Sequence, residues 1–183
     1  GEQASIDLSR LAEVANRLKT NLENGVALAN SAEAASVTAG MRVPLRSSWS
    51  REVVQVSVPH RPQTLRVLIL QPASSANGRL VVISHGLWDD PESFEGWGEV
   101  LAAHGYTVLM PDHPGSDFNQ QKAMLAGAAP PPGPEELRLR PLDVSALLDG
   151  VSTGRLLAGA KLNTNAVAVV GHSWGGTTSL QLA

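Results

Sequence analysis

The first 40 residues carry the hydrophobic spacing of a helix. Apolar residues recur there every three or four positions, at Leu8, Leu11, Ala15, Leu18 and Leu22. Asp7 is a suitable N-cap and Asn24-Gly25 a suitable end, and an Ala- and Ser-rich stretch follows over 26–39. We expect the apolar face to pack on the main domain, with a lid or partner-binding role as the alternative. The polar face is not rich in Lys, which argues against a membrane-surface role.

From residue 51 the spacing becomes that of β-strands. Val54, Val56 and Val58 alternate with polar residues and predict a strand with one solvated face, and 65–70 predicts a second strand. The turn signal Asn77-Gly78 predicts that the strands on either side of it lie antiparallel. Three continuous apolar runs then predict strands buried on both faces: Leu80–Ile83, Tyr106–Met110 and Ala166–Val170.

Helices are predicted between these buried strands. They run from about Pro91 to His104, from about Pro141 to Leu157, and onward from about Gly176. A long irregular connection, 115–134, is either functional or a bare surface loop. The alternation of strand and helix predicts an α/β fold with a mostly parallel sheet and helices on both faces. We expect a division into a helical extension, 1–45, and a main domain, 46–183.

Composition narrows the function classes. The 183 residues include 14 Lys and Arg and 17 Asp and Glu, which gives a net charge of −3. A protein that binds nucleic acid usually carries an excess of basic residues, so this charge argues against nucleic-acid binding. No apolar run approaches the roughly 18 residues that span a bilayer. The sequence has no cysteine, so disulfides, thiolate metal sites and a cysteine nucleophile are excluded, and export is compatible but not established. No cofactor and no metal are expected.

The segment Gly171-His172-Ser173-Trp174-Gly175-Gly176 fits the pattern G-x-S-x-G. The pattern alone is weak, but here it follows a predicted buried strand and precedes a predicted helix, as a nucleophile elbow requires. Glycines are needed two residues before and after the serine because side chains there would collide with the helix and a neighbouring strand. The helix N-terminus favours a developing negative charge. Ser173 is therefore the candidate nucleophile.

A second candidate feature follows the strand 80–83. His85-Gly86-Leu87-Trp88 lies at the carboxyl end of that strand, where open α/β sheets place ligands. The Leu87 and Trp174 N–H groups would form a two-donor oxyanion hole. His85 is interpreted as a histidine that shapes the turn, and His85, Gly86, Trp88 and His172 are candidates for the substrate pocket.

Asp112 and His113 follow the strand 106–110 at the same edge. The catalytic acid of this topology comes after the nucleophile in chain order, so Asp112 is interpreted as a residue that shapes the turn or pocket. His113 is a weaker catalytic candidate because it precedes a proline in a loop.

These three segments, Gly171–Gly176, His85–Leu87 and Asp112–Asp117, resemble those of α/β-hydrolases of the dienelactone hydrolase and platelet-activating-factor acetylhydrolase type. Within that superfamily the chain is similar to bacterial hydrolases with an N-terminal helical region, and polyester-degrading cutinases are similar around the elbow. The resemblance covers about 50–183 and implies a serine esterase or lipase, with Ser173 as nucleophile and Leu87 and Trp174 as oxyanion donors. Dienelactone hydrolases proper use a cysteine nucleophile, so their substrate is not expected.

No histidine follows Ser173 in this sequence; the five are His60, His85, His104, His113 and His172. A serine without a base is a poor nucleophile. We therefore expect polypeptide beyond residue 183, as a second chain or a missing region, to supply the base and the acid and to cover one side of a central elbow strand. The expected activity is hydrolysis of lipid-like or polyester-like carboxylic esters. A peptidase, a thioesterase or a catalytically silent binding module is the alternative.

Overall fold

The computed structural model describes residues 8–39 and 48–183, without the side chains of residues 8, 9 and 11. The chain divides into two compact units, Gly1–Arg42 and Val43–Ala183. The predicted boundary at 45/46 falls within 40–47, outside the described residues. No helix in the described ranges is long and apolar enough to cross a membrane.

The first unit contains two helices, α1 (Leu8–Ala29) and α2 (Ala32–Thr38). The prediction that α1 ends at Asn24-Gly25 is wrong, because a glycine inside a helix costs only about 1 kcal/mol and the helix continues through good helix formers. Ser31 caps α2, since its side chain accepts a hydrogen bond from the Ala34 N–H at 3.1 Å. The predicted packing of α1 on the main domain stays a prediction.

The second unit is built on a five-stranded sheet. Its strands are β1 (Trp49–Val56), β2 (Leu65–Pro72), β3 (Leu80–Ser84), β4 (Thr107–Pro111) and β5 (Val167–Gly171). Its helices are α3 (Glu95–Ala103), preceded by a 3-10 turn (Pro91–Phe94), α4 (Phe118–Leu125), α5 (Glu136–Ser152) and α6 (Trp174–Leu182).

The strand order is β1-β2-β4-β3-β5. β4, β3 and β5 are parallel, which confirms that the three apolar runs lie side by side, while β1, β2 and β4 pair antiparallel. β2 and β3 run antiparallel to each other, as the turn at Asn77-Gly78 predicts, but they are not hydrogen-bonded neighbours because β4 lies between them. Within the described residues β3 is flanked on both sides and β5 pairs with β3 alone, and the prediction that further polypeptide covers the other side of β5 stays a prediction.

Two hydrophobic clusters cover the two faces of the sheet. On one face Val144 and Leu147 of α5 pack on β2, β3 and β4 through residues such as Leu65. On the other face Ala102 of α3 packs against a cluster that includes Leu70 and Met110. Burial of both faces explains why the sequence of these strands shows continuous apolar runs.

Two further expectations need correction. The connection predicted to be irregular over 115–134 contains α4, whose N-cap Asp117 accepts a hydrogen bond from the Gln120 N–H at 2.8 Å. α5 begins at Glu136 and ends at Ser152, so Pro141 lies inside the helix and does not start it.

Candidate active site

Ser173 lies on the sharp turn between β5 and α6. Its backbone angles are φ 53° and ψ −116°, a left-handed conformation that non-glycine residues rarely adopt. The residue is exposed, and it is the N-cap of α6. The strained turn therefore presents the serine at the carboxyl edge of the sheet, beside the positive end of a helix dipole.

The two glycines of the motif are required by close backbone approaches. A Cβ at position 171 would overlap the backbone of Gly175 and lie 2.6 Å from the Gly176 nitrogen. A Cβ at position 175 would overlap the Ser84 carbonyl and lie 2.8 Å from the His85 oxygen. Interiors are too closely packed to accommodate these atoms, so both positions require glycine.

The turn after β3 lies against this elbow. A Cβ at Gly86 would be 3.5 Å from the Ser173 Cβ and 3.1 Å from His172 Nδ1. The His172 N–H also donates to the Ser84 carbonyl at 3.3 Å, which joins the ends of β5 and β3. The structure thus brings the predicted turn and the predicted nucleophile together.

Both predicted oxyanion donors belong to these two turns. Leu87 is in the turn after β3, and Trp174 is the first residue of α6. No described residue accepts a hydrogen bond from the Leu87 or the Trp174 N–H. The N–H groups that follow them are occupied, since Trp88 donates to the Ser116 carbonyl and Gly175 to the His172 carbonyl, each at 2.7 Å. The two donors that the sequence predicts are therefore free within the described part of the chain.

The His85 ring is fully buried and holds the turn from within. Its Nδ1 donates to the Gly86 carbonyl at 2.7 Å, and its Nε2 accepts from the His113 N–H at 2.9 Å. Asp112 Oδ1 lies 3.5 Å from the same Nε2 and is a buried oxygen with no hydrogen-bond partner among the described residues. With both nitrogens engaged, the ring itself is not open to a substrate, and its contacts fit a residue that shapes the turn.

A buried ionic cluster lies next to this turn, centred on Asp143 of α5. Asp143 accepts from Arg61 Nε at 2.6 Å, from His113 Nδ1 at 2.8 Å and contacts His60 Nε2 at 2.7 Å. Burial would raise the pKa of Asp143, but hydrogen bonds from His113 and Arg61 outweigh it and hold that pKa below its ordinary value.

His113 is neutral in this cluster. Burial, reinforced by the charge of Arg140, lowers the pKa of His113 to about 3. Its Nδ1–H therefore donates to Asp143, while Nε2 accepts from the Ser84 hydroxyl at 3.1 Å. The order Ser84–His113–Asp143 resembles a catalytic triad in connectivity, but all three side chains are buried and none can meet a substrate.

None of the five histidines serves as a base for Ser173 among the described contacts. His60, His85 and His113 are engaged in the interior, and the His104 Nδ1 lies 2.8 Å from the Val100 carbonyl. The exposed His172 ring faces Phe94 at 5.9 Å between centroids. No described side chain hydrogen-bonds to the Ser173 hydroxyl.

Aromatic residues surround the elbow and the adjoining turn. Phe94 contacts both His172 and Trp97, and Trp97 is 62% exposed. Trp88 adopts a left-handed backbone with φ 61°, and its Nε1 is buried without a partner in the described part of the chain. No group of three or more His, Cys, Asp or Glu residues suited to a metal ion occurs within 8–39 and 48–183.

Sequence reasoning missed the buried charged residues Arg61, Arg140 and Asp143. Arg140 and Asp143 are spaced three residues apart on α5, so they share a helix face, together with the apolar Val144 and Leu147. Charged residues on an apolar helix face were the available signal, since a buried charge needs ion-pair or hydrogen-bond partners from the rest of the fold.

Comparison with known protein families identifies the family of this chain. The model of the α/β-hydrolase family matches residues 80–183, and the chain belongs to that family. No curated protein matches the sequence.

Solved structures with the same fold include two esterases. A cold-adapted esterase from an Arctic intertidal metagenomic library, in a PEG-bound complex, has a TM-score of 0.53 and 17% identity over 77% of this chain and 59% of that one. A ferulic acid esterase from Streptomyces cinnamoneus has a TM-score of 0.51 and 19% identity over 77% of this chain and 55% of that one. The chain thus has the α/β-hydrolase fold and spans somewhat over half the length of these structures.

Proposed function

We propose that this chain is part of a serine hydrolase that cleaves carboxylic esters through an acyl-serine intermediate. The observation that carries the proposal is the conformation of Ser173, exposed at a strained strand-to-helix turn whose flanking glycines are sterically required. Backbone strain of this kind is maintained at functional sites, where it presents a reacting group.

The chemistry follows from the positions of the donors. Ser173 Oγ attacks the ester carbonyl carbon, and the carbonyl oxygen becomes an oxyanion that accepts from the Leu87 and Trp174 N–H groups. The tetrahedral intermediate collapses with loss of the alcohol, and water then hydrolyses the acyl-serine. The dipole of α6 stabilises the negative charge at both tetrahedral stages.

The proton of the Ser173 hydroxyl needs a base, and the histidines of these 183 residues are placed elsewhere. We propose that polypeptide outside these residues supplies the histidine and the acid, as a continuation of the chain or as a second chain. The share of the solved structures that this chain spans, 54–59%, supports this proposal.

The substrate class is proposed to be lipid-like or polyester-like esters. Trp88, Trp97 and Phe94 supply an apolar surface near the elbow, suited to an acyl or alcohol group. Gly86 and His172 line the approach to Ser173. We also propose that the chain is a member of the dienelactone hydrolase and platelet-activating-factor acetylhydrolase group. This assignment rests on the elbow, the turn after β3 and the Asp112–Asp117 loop.

A catalytically silent binding module is the second candidate. It is favoured by one observation, that no described side chain hydrogen-bonds to the Ser173 hydroxyl. A peptidase or thioesterase would share the elbow and differ in the group that leaves.

A fluorophosphonate probe distinguishes these possibilities. We expect intact mass spectrometry to show one label per molecule in the complete protein, by which we mean this chain with any polypeptide that completes it. Ser173→Ala should abolish the label, while Ser179→Ala, which alters a helix hydroxyl bonded to the Gly175 carbonyl, should retain it. The same preparations should hydrolyse carboxylic esters of graded acyl length faster than matched thioesters or peptide amides.

The outcomes separate the alternatives. A complete protein that binds no probe and hydrolyses no ester would be the silent module. A fragment of residues 1–183 labelled as fast as the complete protein would refute the need for an external base. Faster cleavage of thioesters or amides would replace the ester assignment.

A further inference from the structure

Arg140 is a buried cation next to the candidate site, and it forms no ion pair with a carboxylate of the described residues. The Arg140 side chain is fully buried, and its guanidinium donates to three uncharged oxygens, those of the Thr178 hydroxyl, the Ser116 hydroxyl and the His85 carbonyl. Burial lowers the pKa of Arg140 to about 10, so the side chain is still protonated at neutral pH. Burying a charge is costly, and the three hydrogen bonds of this guanidinium are made to the turn after β3, to the loop residue Ser116 and to α6.

The first contact fixes the turn that carries Leu87. Arg140 Nη2 donates to the His85 carbonyl, in the peptide bond that precedes Gly86. Nη1 donates to the Ser116 hydroxyl at 2.9 Å, and the Ser116 carbonyl accepts from the Trp88 N–H at 2.7 Å. Arg140 therefore binds the start of the turn 85–88 directly, at the His85 carbonyl, and binds its end indirectly, through Ser116.

The remaining contact fixes the helix that carries Trp174. Arg140 Nε donates to Thr178 Oγ1 at 3.1 Å, and the same hydroxyl donates to the Trp174 carbonyl at 3.0 Å. Thr178 is buried, so water does not replace either bond. One guanidinium therefore contacts both segments whose N–H groups form the candidate oxyanion hole.

We propose that Arg140 is the positioning residue of the oxyanion hole, which sets the Leu87 turn and the first turn of α6 at their working separation. The expected effect on kcat rests on the proposed esterase function, whereas the expected effect on the two segments rests on the contacts of Arg140 alone. Only an arginine can do this, because its planar fork directs donors to three diverging acceptors, whereas an ammonium is a compact point charge.

Arg61 provides a matched control. It is a second buried arginine of the same ionic cluster, but it donates to Asp143, Glu136 and the Pro114 carbonyl and to neither turn. Lysine at either position keeps the charge and removes the fork. Both variants should lower the free energy of unfolding, because each leaves buried acceptors unpaired.

The kinetic test compares Arg140→Lys with Arg61→Lys in the complete protein, with active sites counted by probe labelling. Arg140→Lys should lower kcat by about tenfold to a hundredfold with little change in KM, because oxyanion donors act on the transition state; loss of one donor outright costs about a hundred- to a thousandfold. Arg61→Lys should keep kcat per labelled site. If Arg140→Lys does not fold, Thr178→Val takes its place, with Thr178→Ser expected to restore kcat.

A second readout does not depend on activity. Hydrogen exchange of the Trp88 and Gly175 amides should accelerate at least about tenfold in Arg140→Lys relative to the Ile69 amide in β2, and these ratios should not change in Arg61→Lys. Exchange that accelerates uniformly, or a kcat per labelled site equal to that of Arg61→Lys, would overturn the proposal. If the unmodified protein neither labels nor hydrolyses esters, the proposed function fails, and the exchange ratios alone decide whether Arg140 positions the two turns.

Discussion

At the scale of single residues, Gly86 is where the turn after β3 comes closest to the nucleophile. A Cβ at this position would make a tight contact of 3.1 Å with Nδ1 of the exposed His172 ring and would lie 3.5 Å from the Ser173 Cβ. The backbone of Gly86 does not require positive φ, unlike that of Ser173. Changes at Gly86 therefore act on the site more than on the fold.

Gly86→Val should lower kcat by about a hundred- to a thousandfold, the typical cost of losing one oxyanion donor. The branched methyl groups extend past the Cβ toward Ser173 and displace the Leu87 N–H. Steady-state ester hydrolysis normalised by probe-labelled sites measures this, alongside urea unfolding of the same variant.

Gly86→Ala is the matched variant, and its single Cβ needs only a small shift of the exposed His172 ring. We expect it to retain most of the turnover. A folded valine variant with an unchanged kcat would remove Leu87 from the site.

At the scale of secondary-structure elements, the contact between α6 and the end of β3 sets the height of the elbow above the sheet. Gly175 is the point of contact, and a Cβ there would meet the rigid backbone of Ser84 and His85. The next glycine, Gly176, has space, because its Cβ would be 3.4 Å from the nearest atom, the Gly171 carbonyl oxygen.

Gly175→Ala should reduce the free energy of unfolding by about 1–3 kcal/mol or more, because overpacking against backbone cannot be relieved by a side-chain rotation. Gly176→Ala should cause no loss, since alanine favours a helix interior by about 0.5–1 kcal/mol over glycine. Urea unfolding of the two variants tests the difference. Equal stabilities would contradict the close approach of α6 to β3.

At the scale of the whole molecule, the cluster around Asp143 joins segments distant in sequence. His60 and Arg61 follow β1, His113 follows β4, and Asp143 lies in α5. The His113 pKa of about 3 links this cluster to the stability of the protein, because an unfolded histidine titrates near 6.5. Between these two pH values the unfolded chain binds the extra proton.

Stability should therefore fall as the pH drops from about 6.5, by about 1.4 kcal/mol per pH unit from this one group. At pH 5 the loss would be about 2 kcal/mol. His113→Asn, which can still donate to Asp143 and does not titrate, should remove most of this slope between pH 7 and 5. Unfolding free energies over that range measure it, and an unaltered slope in the variant would show that His113 is not neutral in the folded state.

Much of the fold could be predicted from local patterns. The buried strands were located to within a residue or two, because burial of both faces demands continuous apolar residues whatever lies beside them. The elbow was predicted for a similar reason, since the strand–turn–helix order and the glycines are local requirements. The helix α4 was missed although Asp117 is an N-cap, because the Pro- and Gly-rich residues after it dominate the composition.

Pairings between distant segments could not be predicted in this way. A turn at Asn77-Gly78 indicates that the chain reverses, but it does not say which strands become neighbours. In the structure the Asn77 N–H donates to the Gly105 carbonyl and the Asn163 N–H donates to the Gly78 carbonyl, so this turn contacts two other loops. β4 lies between β2 and β3. The buried roles of Arg61, Arg140 and Asp143 also depend on which acceptors the tertiary structure brings near them.

The sequence by itself determined the class of fold, the candidate nucleophile and the two candidate oxyanion donors, because each follows from residues adjacent in the chain. Only the tertiary structure decided the strand order and the contact of Gly86 with the elbow. It also decided the burial of His85 and His113 and the three bonds of Arg140. These features depend on the packing of segments that are distant in sequence, for example 24 residues apart for Arg140 and Ser116 and 55 for Arg140 and His85. Such packing is a property of the folded chain as a whole.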